Sequence, residues 1–211
     1  MPLDLAALIN PAHTALVTQE CQNGVIGNDA VLRELADIAQ RVAVPNIARL
    51  ARSARSAGVP VVHCLAVRRA DDKGSNHNAR LFLGTRKLGI RIEPGSSAAA
   101  LIPELAGDPG DLVLSRLHGL GPMGGTDLDA VLRNLGVSTI VVVGVSLNIA
   151  IPNVVMDAVN AAYRVVVPRD TVAGIPTEYG NAIIDNTLSL LATITSTDDL
   201  LQAWSPHKET S

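Results

Sequence analysis

Four groups of polar residues in the 211-residue chain have types and positions suited to chemistry. Ser146 and Asn148 stand in a turn, 144–150, between the β-branched run 139–143 and a helical pattern reaching about Tyr163. A turn that opens a helix presents unpaired N–H groups, which favour an anion or a developing oxyanion. Glu20 ends the apolar run that begins at Thr14, so its carboxyl stands at a strand end beside Cys21. Arg116 and His118 follow the run 111–115 and belong to the same rim. Asn78 and Arg80 lie in a charged stretch, 68–94, whose length suits a lid or a subunit contact. Plainer readings stand beside each of these. Glu20 and Arg116 also make sense as a buried structural ion pair, and His118 as a solvated loop histidine. Ser146 and Asn148 suit backbone satisfaction of their turn, and 68–94 suits a solvated excursion.

The elements that would position these groups follow from hydrophobic pattern. After the helix that ends near Tyr163, Val165, Val166 and Val167 make a second buried strand, stopped by Pro168. Strand, turn, helix and strand form a βαβ crossover, and such sheets place ligands at the carboxyl ends of their strands. Residues 14–20 read as the first strand and 61–67 as the second, with the third at 111–115. Helical spacing covers 31–57, where Pro45 kinks or splits the helix. Further helices fit 126–135, 179–191 and 198–204, with a last short strand at 192–195. About six strands thus alternate with helices in a single domain, 1–211.

Composition narrows the class. Hydrophobic residues make up 47% of the chain, yet there is one Phe, one Trp and two Tyr, so the core is aliphatic. That suits helices packed on a parallel sheet. A net charge of -3 gives no reason to expect nucleic acid, and no apolar stretch is long enough to span a bilayer. Cys21 and Cys64 both sit in or beside apolar runs, where cysteine is most often an inert small hydrophobe. Two such cysteines make no disulfide scaffold, and a reducing cytoplasm is the expected location. His63, inside the second strand, reads as a hydrogen-bonded core histidine.

Four segments in order carry a family resemblance: Glu20-Cys21-Gln22-Asn23, Gly125-Thr-Asp-Leu-Asp129, Gly144-Val-Ser-Leu-Asn148, and Asp157-Ala158 followed by Tyr163-Arg-Val-Val-Val-Pro-Arg-Asp170. Together they resemble the isochorismatase-like, or cysteine hydrolase, superfamily over residues 14–201. The resemblance implies a three-layer α/β sandwich with a parallel sheet and helices on both faces. It also implies a small-molecule hydrolase that needs no cofactor, assembles as a homo-oligomer (dimer or tetramer) and has a cis peptide between Val145 and Ser146. The family's aspartate, lysine and cysteine map onto Glu20, Arg116 and Ala150. Glutamate still serves as an acid or a base, whereas arginine keeps the charge without giving up its proton. Alanine has no nucleophile and leaves position 150 only its backbone N–H. The triad is therefore expected to be degenerate. Some family members bind zinc after the second strand, but Leu65-Ala-Val-Arg-Arg-Ala70 has no such ligands, so no metal is expected. Two functions follow from the resemblance. One is hydrolysis by acid/base chemistry at Glu20, as in the branch that cleaves a vinyl ether with a strand-end carboxyl. The other is a catalytically inactive relative that binds a small molecule or partners another subunit. In either, Ser146, Asn148, His118, Asn78 and Arg80 are the candidates for holding the ligand.

Overall fold

The computed structural model describes residues 4–205. Seven strands form one sheet: β1 (Thr14–Gln19), β2 (Val61–Ala66), β3 (Leu112–Arg116), β4 (Thr139–Val145), β5 (Arg164–Pro168), β6 (Val172–Ala173) and β7 (Thr193–Thr195). The spatial order is β3-β2-β1-β4-β5-β7, with β6 paired beside β4, and every pairing is parallel. The strand beyond the expected six is the two-residue β6, too short to show a period in the sequence.

Period-two alternation divides the central strands between two cores. Leu16, Val141 and Val143 face one side, where they meet Ile47, Leu50, Leu200 and Trp204. These come from α4 (Val44–Ser56) and α9 (Thr197–Trp204). Ala15, Val17, Ile140 and Val142 face the other, against Leu132, Ile151, Val155 and Ile184. That layer is α6 (Leu128–Asn134), α7 (Ala150–Asn160) and α8 (Thr177–Asn186). Trp204 keeps its one polar atom satisfied by donating its ring N–H to the Ile9 carbonyl at 2.8 Å, and α1 (Leu5–Leu8) packs beside it.

The pattern read as one helix over 31–57 is divided into α3 (Arg33–Ile38), a π turn over Ala39–Ala43, and α4. Pro45 stands in the first turn of α4, where its missing N–H costs nothing, and the wide turn before it absorbs the break. The stretch 68–94 contains α5 (Arg80–Lys87), which the sequence reading did not separate from the loop. No residue of α5 is buried, because the helix lies over a cavity and not on the sheet. This has a consequence at the sheet edge. No helix of the β2–β3 connection covers β3, and Leu112 and Val113 are 38% and 53% exposed.

Candidate active site

The strand order reverses between β1 and β4, and a crevice at the carboxyl ends of the strands opens at such a point. Register aligns the ends: Gln19 is opposite Gly144 across β1 and β4, and Ala66 is opposite Arg116 across β2 and β3. Glu20, Arg116 and the start of α7 are thereby brought to one rim. Gly144 has φ +113°, and a Cβ there would stand 2.2 Å from the Gln19 carbonyl oxygen, so β4 approaches β1 as only glycine allows. Glu20 itself has φ +56°. A side-chain-bearing residue in this region costs on the order of 1 kcal/mol and persists only where its surroundings enforce it. Here the Glu20 amide donates to the Cys64 carbonyl at 2.9 Å. Beyond it, α2 (Asn23–Ile26) carries the chain out of the rim.

Arg116 is buried, with 6% of its side chain exposed, and its Nη2 donates to Glu20 Oε1 and to the Leu120 carbonyl. Gln19 Nε2 donates to the same Glu20 oxygen at 2.9 Å. The ion pair expected from the sequence is therefore present. It does not use up the guanidinium: Nε and Nη1 of Arg116 are buried and have no protein partner among the described residues. Unmet buried donors are uncommon in folded proteins and cost about 1–3 kcal/mol each.

These groups line a cavity of about 250 Å³. Glu20, Arg116, Ser146 and Ala150 contribute its polar side, and Leu35, Ile92, Leu81 and Phe82 are among its apolar contacts. The space beside Ala150 is open, because Leu147 and Ile151 are committed to the core and Met123 packs against it. The peptide between Val145 and Ser146 is cis, as the resemblance implied. The first amides of α7 emerge at this rim, and the Ala150 N–H has no hydrogen-bond partner among the described residues.

Of the candidate residues, Glu20, Arg116, Ala150, Ser146 and His118 line the cavity, and Asn148, Asn78 and Arg80 do not. Asn148 is occupied elsewhere. Its side chain donates to the Ile175 carbonyl and accepts from the Ile175 amide, clamping the turn to the segment after β6. Asn78 is exposed and serves to hold Asn76, which donates to it at 3.1 Å. Asn76 is the residue that reaches the cavity, and its side-chain oxygen accepts from the Gly119 amide at 2.8 Å. Arg80 begins α5 and points no group into the cavity lining, which that helix supplies through Leu81, Phe82 and Thr85. Nothing in the irregular sequence of 68–94 separates Asn76 from Asn78. A helical reading of Leu81, Phe82 and Thr85 was the one available signal.

Cys21 and Cys64 are fully buried on opposite faces of the sheet, one in each core. Burial pushes both thiols up to about 12. His63 is a hydrogen-bonded core residue as expected, with Nδ1 2.8 Å from Thr18 Oγ1 and Nε2 2.9 Å from Asp111 Oδ2. Asp111 is bound in turn by Arg55. Among the described residues no three His, Cys, Asp or Glu side chains cluster in a way that could hold a metal ion.

Similarity to known proteins agrees with this architecture. The isochorismatase domain matches residues 14–199. Ureidoacrylate amidohydrolase RutB of Pseudomonas syringae pv. syringae is 27% identical over 213 residues, covering 94% of this chain and 86% of that protein. N-carbamoylsarcosine amidase of an Arthrobacter species is 28% identical over 130 residues, covering 61% of this chain and 48% of that enzyme. The crystal structure of a cysteine hydrolase from Pseudomonas syringae pv. phaseolicola superposes with a TM-score of 0.78 at 23% identity, covering 93% of this chain and 94% of that one. A domain match across nearly the whole parallel sheet, with its motifs converging on one strand-end cavity, means that this chain belongs to the isochorismatase family of hydrolases.

Proposed function

We propose that the chain hydrolyses a small, largely apolar molecule bearing an oxygen acceptor, without a cysteine nucleophile, by acid/base chemistry at Glu20. The single observation that carries this is one cavity lined by the Glu20 carboxyl, the Arg116 guanidinium paired with it, and the start of α7 at Ala150. The Arg116 guanidinium and the Ala150 amide stabilise charge on a substrate oxygen as a bond to its carbon breaks, the role of preorganised donors in a water-poor site. Glu20 takes a proton from the attacking water and returns it to the leaving group. Alanine at position 150 and two cysteines locked in the cores support water, not a thiolate, as the nucleophile. Leu81, Phe82 and Thr85 of α5 close the apolar side and limit bulk water.

Ureidoacrylate and N-carbamoylsarcosine, named in the relatives' activities, are the first compounds to assay, followed by vinyl ethers. Glu20→Gln keeps the size of the side chain and removes its proton chemistry. On a compound that the native chain turns over, kcat is expected to fall about a hundredfold with KM largely kept. Full activity in that variant would end the catalytic assignment.

The second reading is ligand binding without turnover, and one contact favours it: a single Glu20 oxygen accepts from both Gln19 and Arg116. In that case Glu20→Gln shows itself in folding. Breaking a buried pair leaves Arg116 uncompensated and lowers stability by roughly 3–5 kcal/mol, seen as an early urea midpoint.

The whole chain acts as one domain in this reading and self-associates. The exposed Leu112 and Val113 on edge strand β3, with Leu81 and Leu83 on α5, supply apolar area beside charged residues. Its free, buried cysteines suit a reducing cytoplasm.

A further inference from the structure

A second cavity, of about 590 Å³ and open to solvent, is lined by the 68–94 excursion alone. Its lining includes Arg68, Arg69, Lys73, Arg86 and Arg91. Against these five permanent cations stand three carboxylates, Asp71, Asp72 and Glu93, an excess of two positive charges. The chain as a whole carries 17 Lys and Arg and a net charge of -3. Positive charge is therefore concentrated here against the sign of the molecule, and a concave surface focuses such a field.

Two of the cations, Arg68 and Arg69, are closely engaged by the carboxylates, and the other three are held only loosely. Asp71 is bound by Arg69 at 2.8 Å, a contact that pulls its carboxyl down to about 2. Asp72 is bound by Arg68, which likewise lowers it. The remaining pairs are loose: Arg86 is 3.6 Å from Asp72, Arg91 is 3.5 Å from Glu93, and Lys73 is 3.9 Å from Asp71. Arg86, Arg91 and Lys73 keep most of their N–H donors for another acceptor. Arg68 is mostly buried, and its Nη2 has no protein partner among the described residues.

We propose that this excursion is a second binding site, for a dianionic phosphate monoester, separate from the cavity at Glu20. Two excess charges and several unengaged guanidinium donors match a phosphate with its two charges and three acceptor oxygens. The volume also leaves room for the organic part of a small ester. Arg68 and Ile90 line both cavities, so the two share a wall. The site does not depend on the chemistry at Glu20.

The test is titration of the full chain with inorganic phosphate and with glycerol 3-phosphate, followed by calorimetry and by amide shifts, against chloride at equal ionic strength. Saturable binding is expected, with shifts confined to 68–93. Arg86→Gln together with Arg91→Gln is expected to weaken it about tenfold or more. Arg41→Gln with Arg52→Gln removes the same charge at exposed positions outside the cavity and is expected to leave binding intact. A parallel arm uses phosphatidylcholine vesicles with and without phosphatidic acid. Free phosphate binding assigns a soluble ligand. Vesicle capture without it, if lost in the first double variant only, assigns a headgroup monoester. No saturable binding in either arm, or equal weakening by both double variants, overturns the proposal.

Discussion

At the scale of single residues, the two cysteines and Arg116 bear most directly on what chemistry is open to this chain. Cys21 and Cys64 are fully buried, and burial pushes each thiol up to about 12, which opposes a thiolate at neutral pH. The double variant Cys21→Ser, Cys64→Ser is expected to keep any turnover of the native chain, provided urea melts show that it folds. Loss of turnover in a folded double variant would place the nucleophile at one of them. Arg116 cannot relay a proton as lysine can, so in the proposed mechanism it holds charge and proton movement falls to Glu20.

At the scale of elements, the site depends on how closely β4 approaches β1. Gly144 permits that approach, and its backbone angle alone would strain any other residue. Gly144→Ala sets a methyl 2.2 Å from the Gln19 carbonyl oxygen, and the three nearest atoms are all Gln19 backbone, which cannot swing aside. A loss of about 3 kcal/mol or more is expected from chemical denaturation, a size reserved for changes of this kind. A shift below about 0.5 kcal/mol, the range of ordinary surface changes, would show that the two strand ends move apart freely. The other element that shapes the site is α5, none of whose residues is buried and whose Leu81 and Phe82 line the cavity.

At the scale of the whole molecule, a buried polar chain crosses the sheet from Thr18 through His63 to Asp111 and Arg55. Burial lowers the His63 pKa below its ordinary 6.5, against the opposing pull of Asp111. The unfolded chain therefore binds more protons than the folded one just below pH 6.5. Stability from this group is full above 6.5 and is lost as pH falls towards the lowered value. For Asp111, burial pushes the carboxyl up, but hydrogen bonds from Arg55 and His63 outweigh it and leave it below 3.8. Its contribution is lost in turn as pH falls below 3.8. Urea midpoints in a pH series are expected to begin falling below 6.5, and His63→Gln is expected to flatten that first descent. An unchanged descent in the variant would assign it to other groups. The proposed self-association belongs to this scale too. Light scattering is expected to give at least twice the 22.0 kDa of one chain, and a monomer at micromolar concentration would remove the proposed interface.

The sequence by itself determined six of the seven strands, most clearly the β-branched run Thr139 to Val143, which is buried on both faces. It determined the order of the motifs, and through them the family, and it named Glu20, Arg116 and Ala150 as the rim. Local pattern also anticipated the core role of His63 and the break at Pro45. The choice of Asn76 over Asn78, the release of Asn148 to clamp Ile175, and the placement of α5 were decided only in three dimensions. Each depends on which partner a side chain meets across 27 or more residues of chain, as Asn148 meets Ile175 and Asn76 meets Gly119. The unpaired Nε and Nη1 of Arg116 belong to the same class. Residue type sets how many hydrogen bonds a guanidinium offers, and only the packing around it sets how many the protein leaves unmade.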